Sequence, residues 1–301
     1  MLELFGFPGG VKPASHKEES ACTPIAPAPL SPLLVVPFRQ SATGGVDIRV
    51  RAGERVLKGQ CIGSAEGPFG TCVHAPTSGT VIAIESRPLP HPSALAAPCA
   101  IIEADGLEAW RERVPLDPYD ADPARVRARI REAGIVGLGG AVFPTHVKTN
   151  ARIDTLVING AECEPWITCD DRLMRERAPT IIAGAAIIAH LMGAQRVLFG
   201  IEDNKPDAAA AMRAAVAAAG NDGMQVVTVP TRYPAGGEKQ LIRVLTGIEI
   251  PYGRLGPDFG VQCFNVGTAH AVARAVLHDE PLISRIVTLA GNYARPGNVE
   301  T

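Results

Sequence analysis

Between residues 134 and 148 the chain reads Gly134-Ile-Val-Gly-Leu-Gly-Gly-Ala-Val-Phe-Pro-Thr-His-Val-Lys148. Glycine has no Cβ, so successive backbone N–H groups can converge on an anion, and a lysine a few residues on adds a compact positive charge. The stretch suits a phosphate; on glycine content alone it suits a flexible turn equally well. It is not a Walker A loop, which needs Gly-Lys-Ser/Thr after four residues. Nor is it a dinucleotide fingerprint, because Val142 stands where the last glycine belongs.

Three further stretches share this character. Asn159-Gly-Ala-Glu-Cys-Glu-Pro165 follows an apolar run, Thr155–Ile158, that reads as a strand. Ligands of parallel sheets bind beyond the carboxyl ends of strands, and there Asn159, Glu162 and Glu164 can orient hydroxyls, an amide or a dihydropyridine. An isolated Glu-x-Glu is otherwise a solvated acidic loop. Tyr233-Pro-Ala-Gly-Gly-Glu-Lys-Gln240 places glycines directly before a helix, whose exposed N–H groups suit a phosphate or a polyol chain. Phe264-Asn-Val-Gly-Thr268 repeats the arrangement as a loop before the last helix. Any one of these loops says little, but four in one α/β region argue for a single nucleotide-like pocket. Asp170-Asp-Arg172 reads as a helix cap with a local ion pair rather than a metal-ligand pair. Gly200-Ile-Glu-Asp-Asn-Lys-Pro206 reads as a capped surface turn or a ligand contact. The seven histidines are dispersed, with no metal spacing and no nucleophile–base pair, so no metal site is expected.

The elements that must hold these loops follow from periodicity and punctuation. Residues 1–32 carry prolines at 8, 13, 24, 27, 29 and 32 and read as an extended segment. Short β-type runs follow at Leu33–Pro37, Gly45–Val50, Gly53–Ile62, Val73–Ile84 and Cys99–Glu103, the pattern of a small barrel or sandwich. Residues 106–122 read as a linker. Asp122 before Pro123 starts a helix that Gly134 can end. Strands at Thr155–Asn159, Arg196–Ile201 and Met224–Val229 then alternate with helices at Pro179–Met192, Pro206–Ala219, Glu238–Leu245 and Ala269–Leu277. That alternation predicts a parallel sheet covered on both faces. Ile286–Ala290 is a fresh strand, after which the chain trails into turn residues, as if a further domain were beginning.

Bulk properties bound the function. Across 301 residues the formal net charge is −2, so no basic field would hold nucleic acid. The N-terminus lacks a signal peptide, and Ile181–Met192 is too short to span a bilayer, which takes about 20 residues. The seven cysteines are scattered, without a C-x-x-C, as expected of reduced thiols and not of an iron–sulfur motif.

The four loops, in this order, resemble the flavin- and NADH-binding subunit of respiratory complex I and its relatives in hydrogenases and formate dehydrogenases. The whole chain is most similar to the family of C subunits of Rnf (Rsx) electron-transport complexes. That wider resemblance rests on Gly9-Gly-Val-Lys-Pro13, Val73-His-Ala-Pro-Thr-Ser-Gly-Thr-Val81, His91-Pro-Ser-Ala-Leu95, Ile201-Glu-Asp-Asn-Lys-Pro206 and Ala294-Arg-Pro-Gly-Asn298. Residues 50–82 also resemble biotinyl/lipoyl domains, through Val50, Gly53, Val56, Gly59-Gln60 and Gly79-Thr-Val81. Ser64–Cys72 contains no lysine, so a docking surface is expected there and not a loaded arm.

The resemblance implies FMN bound by Gly137, Gly139, Gly140, Lys148, Asn159, Tyr233, Gly236, Glu238, Asn265 and Thr268, with NADH as substrate. It implies that Glu162 lies near flavin and nicotinamide, that Glu164 shapes the NADH site and that Phe143 meets the dinucleotide. Val142 for glycine, Ala161 for an acidic residue and Gly237 for glutamate depart from the complex I pattern. The implied architecture is α/β: a barrel-sandwich hybrid domain over 33–105, a Rossmann-like FMN- and NADH-binding domain over 123–283, and the start of a truncated β-grasp domain over 284–301. The implied setting is peripheral, on the cytoplasmic side of the bacterial inner membrane. The other Rnf subunits hold the chain there, ferredoxin is reached indirectly, and 4Fe–4S clusters are expected only in a missing C-terminal region. Two alternatives stay open: a docking scaffold without catalysis, and a diaphorase of hydrogenase or formate-dehydrogenase type.

Overall fold

Unbroken apolar runs such as Leu156-Val157-Ile158 and Val197-Leu198-Phe199 place side chains on both faces of a strand, which only a sheet covered on both sides can bury. The computed structural model describes residues 3–39, 45–90 and 93–301. Residues 40–44, and His91 and Pro92 of the His91–Leu95 motif, lie outside the described residues.

In chain order, α1 (Glu18–Ala21) and β1 (Ala26–Pro27) precede seven strands. These are β2 (Leu33–Pro37), β3 (Val46–Ile48), β4 (Arg55–Val56), β5 (Cys61–Ala65), β6 (Cys72–His74), β7 (Gly79–Pro88) and β8 (Ala96–Ala104). Two helices follow, α2 (Pro123–Glu132) and α3 (Thr145–Lys148). The alternating part comprises β9 (Thr155–Gly160), α4 (Cys169–Met192), β10 (Arg196–Glu202), α5 (Pro206–Ala219), β11 (Met224–Val229), α6 (Glu238–Thr246), β12 (Val261–Asn265) and α7 (Val266–Leu277). Strands β13 (Ile286–Leu289) and β14 (Gly297–Glu300) close the chain.

The chain divides into two compact units. One holds residues 1–28, 149–273 and 285–301; the other holds 29–148 and 274–284. In the first, an all-parallel sheet runs β11-β10-β9-β12, with Asn159 of β9 level with Asn265 of β12. One face packs on α6 through Val157, Leu198, Val229, Leu241, Leu245 and Val261. Helix α4 packs on α5 and against β9 and β10. Gly184 of α4 is there for space: an added Cβ would lie 1.8 Å from the Ala269 carbonyl oxygen of α7. Helix α4 also begins ten residues before the expected Pro179. Its backbone leaves helical geometry at Arg177 (φ −133°, ψ 28°), because a proline cannot donate to the preceding turn and restricts the residue before it.

Three sequence expectations need correction in this unit. Phe264–Thr268 is not a loop: β12 runs straight into α7 at Val266, and Asn265 caps the helix by accepting from the Gly267 N–H at 2.8 Å. The strand at Ile286 is not left without partners, because β13 pairs antiparallel with β14, which pairs in parallel with β1. Buried Asn298 fixes that small sheet by donating to the Ser20 carbonyl and to Thr168 Oγ1. The proline-rich N-terminus is accordingly not uniformly extended, since it contributes both α1 and β1.

The second unit is a sandwich of two antiparallel sheets, β2-β8-β7-β4 and β3-β5-β6. Phe38, Val56, Ile62, Val73, Val81 and Ile102 fill its core. The glycine-punctuated runs expected as single strands are broken in two, β4 from β5 and β6 from β7. Helix α2 starts where expected, with Asp122 Oδ1 accepting from the Ala124 N–H at 2.7 Å. Asp279 is clamped by Arg111 at 2.8 Å and Arg129 at 3.0 Å.

Candidate functional site

The glycine stretch belongs to the sandwich unit and forms a closed turn. Gly137 N–H donates to the Phe143 carbonyl at 2.8 Å and Thr145 N–H to the Ile135 carbonyl at 3.0 Å. Gly139 and Gly140 lie at its tip, and Gly140 has φ +105° with nothing within 4 Å of an added Cβ. Its glycine is thus required by conformation rather than by crowding. Lys148 stands half-buried at the end of α3. Phe143, 41% exposed, packs edge-on against Phe69 at 5.9 Å.

The other residues gather at the carboxyl ends of β9 and β12 in the α/β unit. Asn159 donates through Nδ2 to the Gly236 carbonyl at 2.8 Å and accepts from the Ala161 N–H at 3.0 Å. Gly236 N–H in turn reaches Cys163 Sγ at 3.3 Å, and an added Cβ there would press on that sulfur at 3.0 Å. Tyr233, followed by a cis proline, is held by reciprocal backbone bonds to Val11 at 2.8 and 2.9 Å. Glu238 opens α6, where a carboxylate favours the helix dipole. Asn265 donates to Asp170 Oδ2 at 2.6 Å, and Thr268 is buried in α7.

Glu162 and Glu164 part company. Glu162 has a positive φ of +51°, which turns its side chain inward, whereas Glu164 is exposed. The Glu162 carboxylate caps α4, accepting from the N–H of Asp170 at 2.8 Å and Asp171 at 3.4 Å. The cap expected from the Asp170-Asp-Arg172 stretch is therefore supplied from outside the helix, while Asp171 pairs with Arg175 at 2.9 Å. Burial, then the neighbouring Asp170 carboxylate, push Glu162 up to about 8 against the pull of Lys17 and Lys205. Burial likewise raises Asp170 to about 6, opposed by the Asn265 hydrogen bond. Near neutral pH the pair therefore carries one proton, on Glu162.

Two lysines hold this acidic loop, Lys17, which sequence reasoning passed over, and Lys205, which it placed only in a surface turn or ligand contact. Lys17 Nζ donates to the carbonyls of Glu162 at 2.9 Å, Glu164 at 3.0 Å and Ile167 at 2.5 Å. Lys205 Nζ donates to the Ala161 carbonyl at 2.7 Å and pairs with Glu202 at 3.2 Å. Asp203 and Asn204 form the exposed turn expected there, but Glu202 and Lys205 on either side of it are buried. Isolated lysines in a proline-rich segment and after a strand carry no local signal of burial. Ligand atoms of Glu162, Cys169 and Asp170 lie within 4.8 Å of one another, but the ammonium groups of Lys17 and Lys205 already answer their charge.

Comparison with known proteins agrees with this geometry. Residues 130–274 match the Nuo51 FMN-binding domain and residues 5–107 the RnfC barrel sandwich hybrid domain. An NAD+-reducing NiFe hydrogenase in the H2-reduced state shares the fold over 62% of this chain and 39% of its own, with a TM-score of 0.53 at 23% identity. Fold and site together define a barrel-sandwich module joined in one chain to an FMN-binding α/β module. The C subunit of the ion-translocating oxidoreductase complex of Pseudomonas aeruginosa is 49% identical over 306 residues, taking in 100% of this chain. That of Edwardsiella ictaluri is 48% identical over 98% of it. The chain belongs to this C-subunit family, and it spans 39% and 37% of the length of those two relatives.

Taken unit by unit, the residues present fit the parts of the flavin mononucleotide that such a domain implies. A phosphate needs N–H groups and a cation, which a glycine turn followed by Lys148 offers. A polar heterocycle needs amide and carboxyl groups on a rigid edge, and Asn159 and Asn265 stand level on neighbouring strands. The crowded Gly236 keeps a side chain out of that edge. Among the described residues no helix is long and apolar enough to cross a membrane.

Proposed function

We propose that this chain is the electron-entry part of an ion-translocating NADH:ferredoxin oxidoreductase complex, holding FMN and oxidising NADH. The observation that carries the reading is the pair Asn159 and Asn265 at the carboxyl ends of adjacent parallel strands, the position at which open α/β sheets bind ligands. Bound flavin would supply the redox chemistry, accepting hydride and releasing electrons singly. Gly139 and Gly140 offer N–H groups and Lys148 charge to its phosphate, on a turn that the Gly137 N–H closes through the Phe143 carbonyl. Asn159, Tyr233, Gly236, Glu238, Asn265 and Thr268 position its polar groups.

Glu164, exposed, is the carboxylate that meets the nicotinamide directly, and Phe143 offers the dinucleotide an aromatic face. Glu162 acts from beneath: capping α4 fixes the loop that carries Glu164, and its raised proton affinity beside Asp170 sets the charge under the site. 4Fe–4S clusters in a longer protein would take those electrons on toward ferredoxin. Partner subunits hold the protein at the cytoplasmic face of the membrane.

Titration with FMN tests the cofactor assignment. Wild-type protein is expected to bind one FMN and gain thermal stability. Lys148→Ala is expected to bind about tenfold or more weakly, the worth of a charge-assisted hydrogen bond. Unchanged affinity in that variant removes Lys148 from the site.

A further inference from the structure

The sandwich unit carries a constellation that flavin binding leaves unused. Strands β5 and β6 pair antiparallel, with Cys61 opposite His74 and Ser64 opposite Cys72, and the register shifts between Cys61 and Gly63. In a regular strand, residues three apart point to opposite faces. The shift turns Ile62 into the core, fully buried, and leaves Cys61, Ser64 and Cys72 half-buried on the same outer face. Arg49 lies across that face. Its Nη1 is 3.7 Å from Cys61 Sγ, its Nη2 donates to Ser64 Oγ at 3.1 Å, and its Nε is anchored on Asp47 at 2.9 Å.

Two thiols, one cation and partial solvent access make a nucleophile with a resolving partner. The Cys72 thiol donates to the Cys61 sulfur, and this hydrogen bond, with Arg49 behind it, lowers Cys61 to about 6 against the cost of burial. Cys72 is correspondingly held protonated by the same bond and by burial. His74, opposite Cys61, is buried and pushed down to about 4, so it is neutral and contributes no charge. The segment between the two cysteines also braces the glycine turn of its own unit. Arg131 donates to the Gly67 and Gly70 carbonyls at 3.0 and 3.1 Å, His146 Nε2 lies 3.0 Å from the Pro68 oxygen, and Phe69 meets Phe143.

We propose that Cys61 and Cys72 form a redox-active dithiol on the sandwich, Cys61 attacking hydroperoxides and Cys72 resolving the product to a disulfide. The Cys61 thiolate attacks the terminal peroxide oxygen, the O–O bond breaks, and the departing hydroxide or alkoxide takes a proton from solvent, leaving Cys61 sulfenic acid and one water (or alcohol). The Cys72 sulfur then displaces the sulfenic oxygen as a second water. The pair has lost two electrons to the peroxide, and a dithiol reductant restores it.

The test uses the full-length chain, reduced and then treated with one equivalent of hydrogen peroxide before alkylation and peptide mapping. The expected result is a linked Cys61–Cys72 peptide lighter by two hydrogens, with exposed Cys22 still alkylated. In Cys72→Ser, Cys61 should instead be trapped as a sulfenic acid by a cyclic 1,3-dione, and Arg49→Gln should slow oxidation several-fold. Wild-type protein in which both cysteines stay alkylatable while Cys22 oxidises overturns the proposal and requires no variant to fold. Oxidation that links either cysteine elsewhere overturns it equally.

Discussion

Glu162 shows how two residues of one motif acquire different work. A spacing of two makes Glu162 and Glu164 look like a pair, but the left-handed backbone at Glu162 sends one carboxylate inward and leaves the other in solvent. No local composition announces that conformation in a glutamate, so the split was illegible. The placement of Asn159 and Asn265 at strand ends was legible in part, Asn159 from the apolar run before it, while the structural bonds both amides make, to Gly236, Ala161, Asp170 and Gly267, were not. The buried acid makes a prediction in pH. With Glu162 raised from 4.5 to about 8, only the folded state holds its proton between those values. Unfolding in that window releases a proton, so stability falls as pH rises through it. Asp170, raised from 3.8 to about 6, adds the same sign at lower pH. Melting temperature measured from pH 5 to 8 should therefore decline in wild type, and Glu162→Gln should flatten the decline above pH 6. An unchanged slope in that variant would place the titrating group elsewhere.

Among the elements, α5 was readable to the residue, since Pro206 opens it and Gly220 closes it in left-handed geometry. Strand β12 was missed for the opposite reason. It joins α7 without a connecting residue, and Asn265-Val-Gly267, which looks like a turn, is a capped helix start. Long-range pairing hid β14 as well, because four polar-rich residues form a strand only when β1 and β13 flank them. Helix–helix contact is the third thing a sequence does not print, and Gly184 tests it. A methyl group there meets backbone, the Ala269 carbonyl oxygen, so α4 and α7 must separate. Gly184→Ala should cost about 1–3 kcal/mol in denaturant unfolding despite its better helix propensity. A stabilised variant would mean that the two helices do not cross so closely.

For the molecule as a whole, the alternation of strands and helices was enough to foresee a parallel α/β sheet beside a small β sandwich. The chain's division into two units was less accessible, because residues 1–28 and 285–301 join the central sheet's unit through Lys17, Asn298 and a small mixed sheet. Two buried lysines, Lys17 and Lys205, pin the loop between β9 and α4 from beneath. That rigid support suits the proposed hydride transfer, in which the reacting atoms must be held at roughly 3–3.5 Å. The most direct measurement is an anaerobic absorption spectrum of the protein after incubation with FMN, removal of excess flavin and addition of NADH. The account predicts stoichiometric retained flavin whose absorption near the visible maximum bleaches on NADH addition. Protein that comes through colourless, or flavin that stays oxidised with NADH in excess, would contradict it.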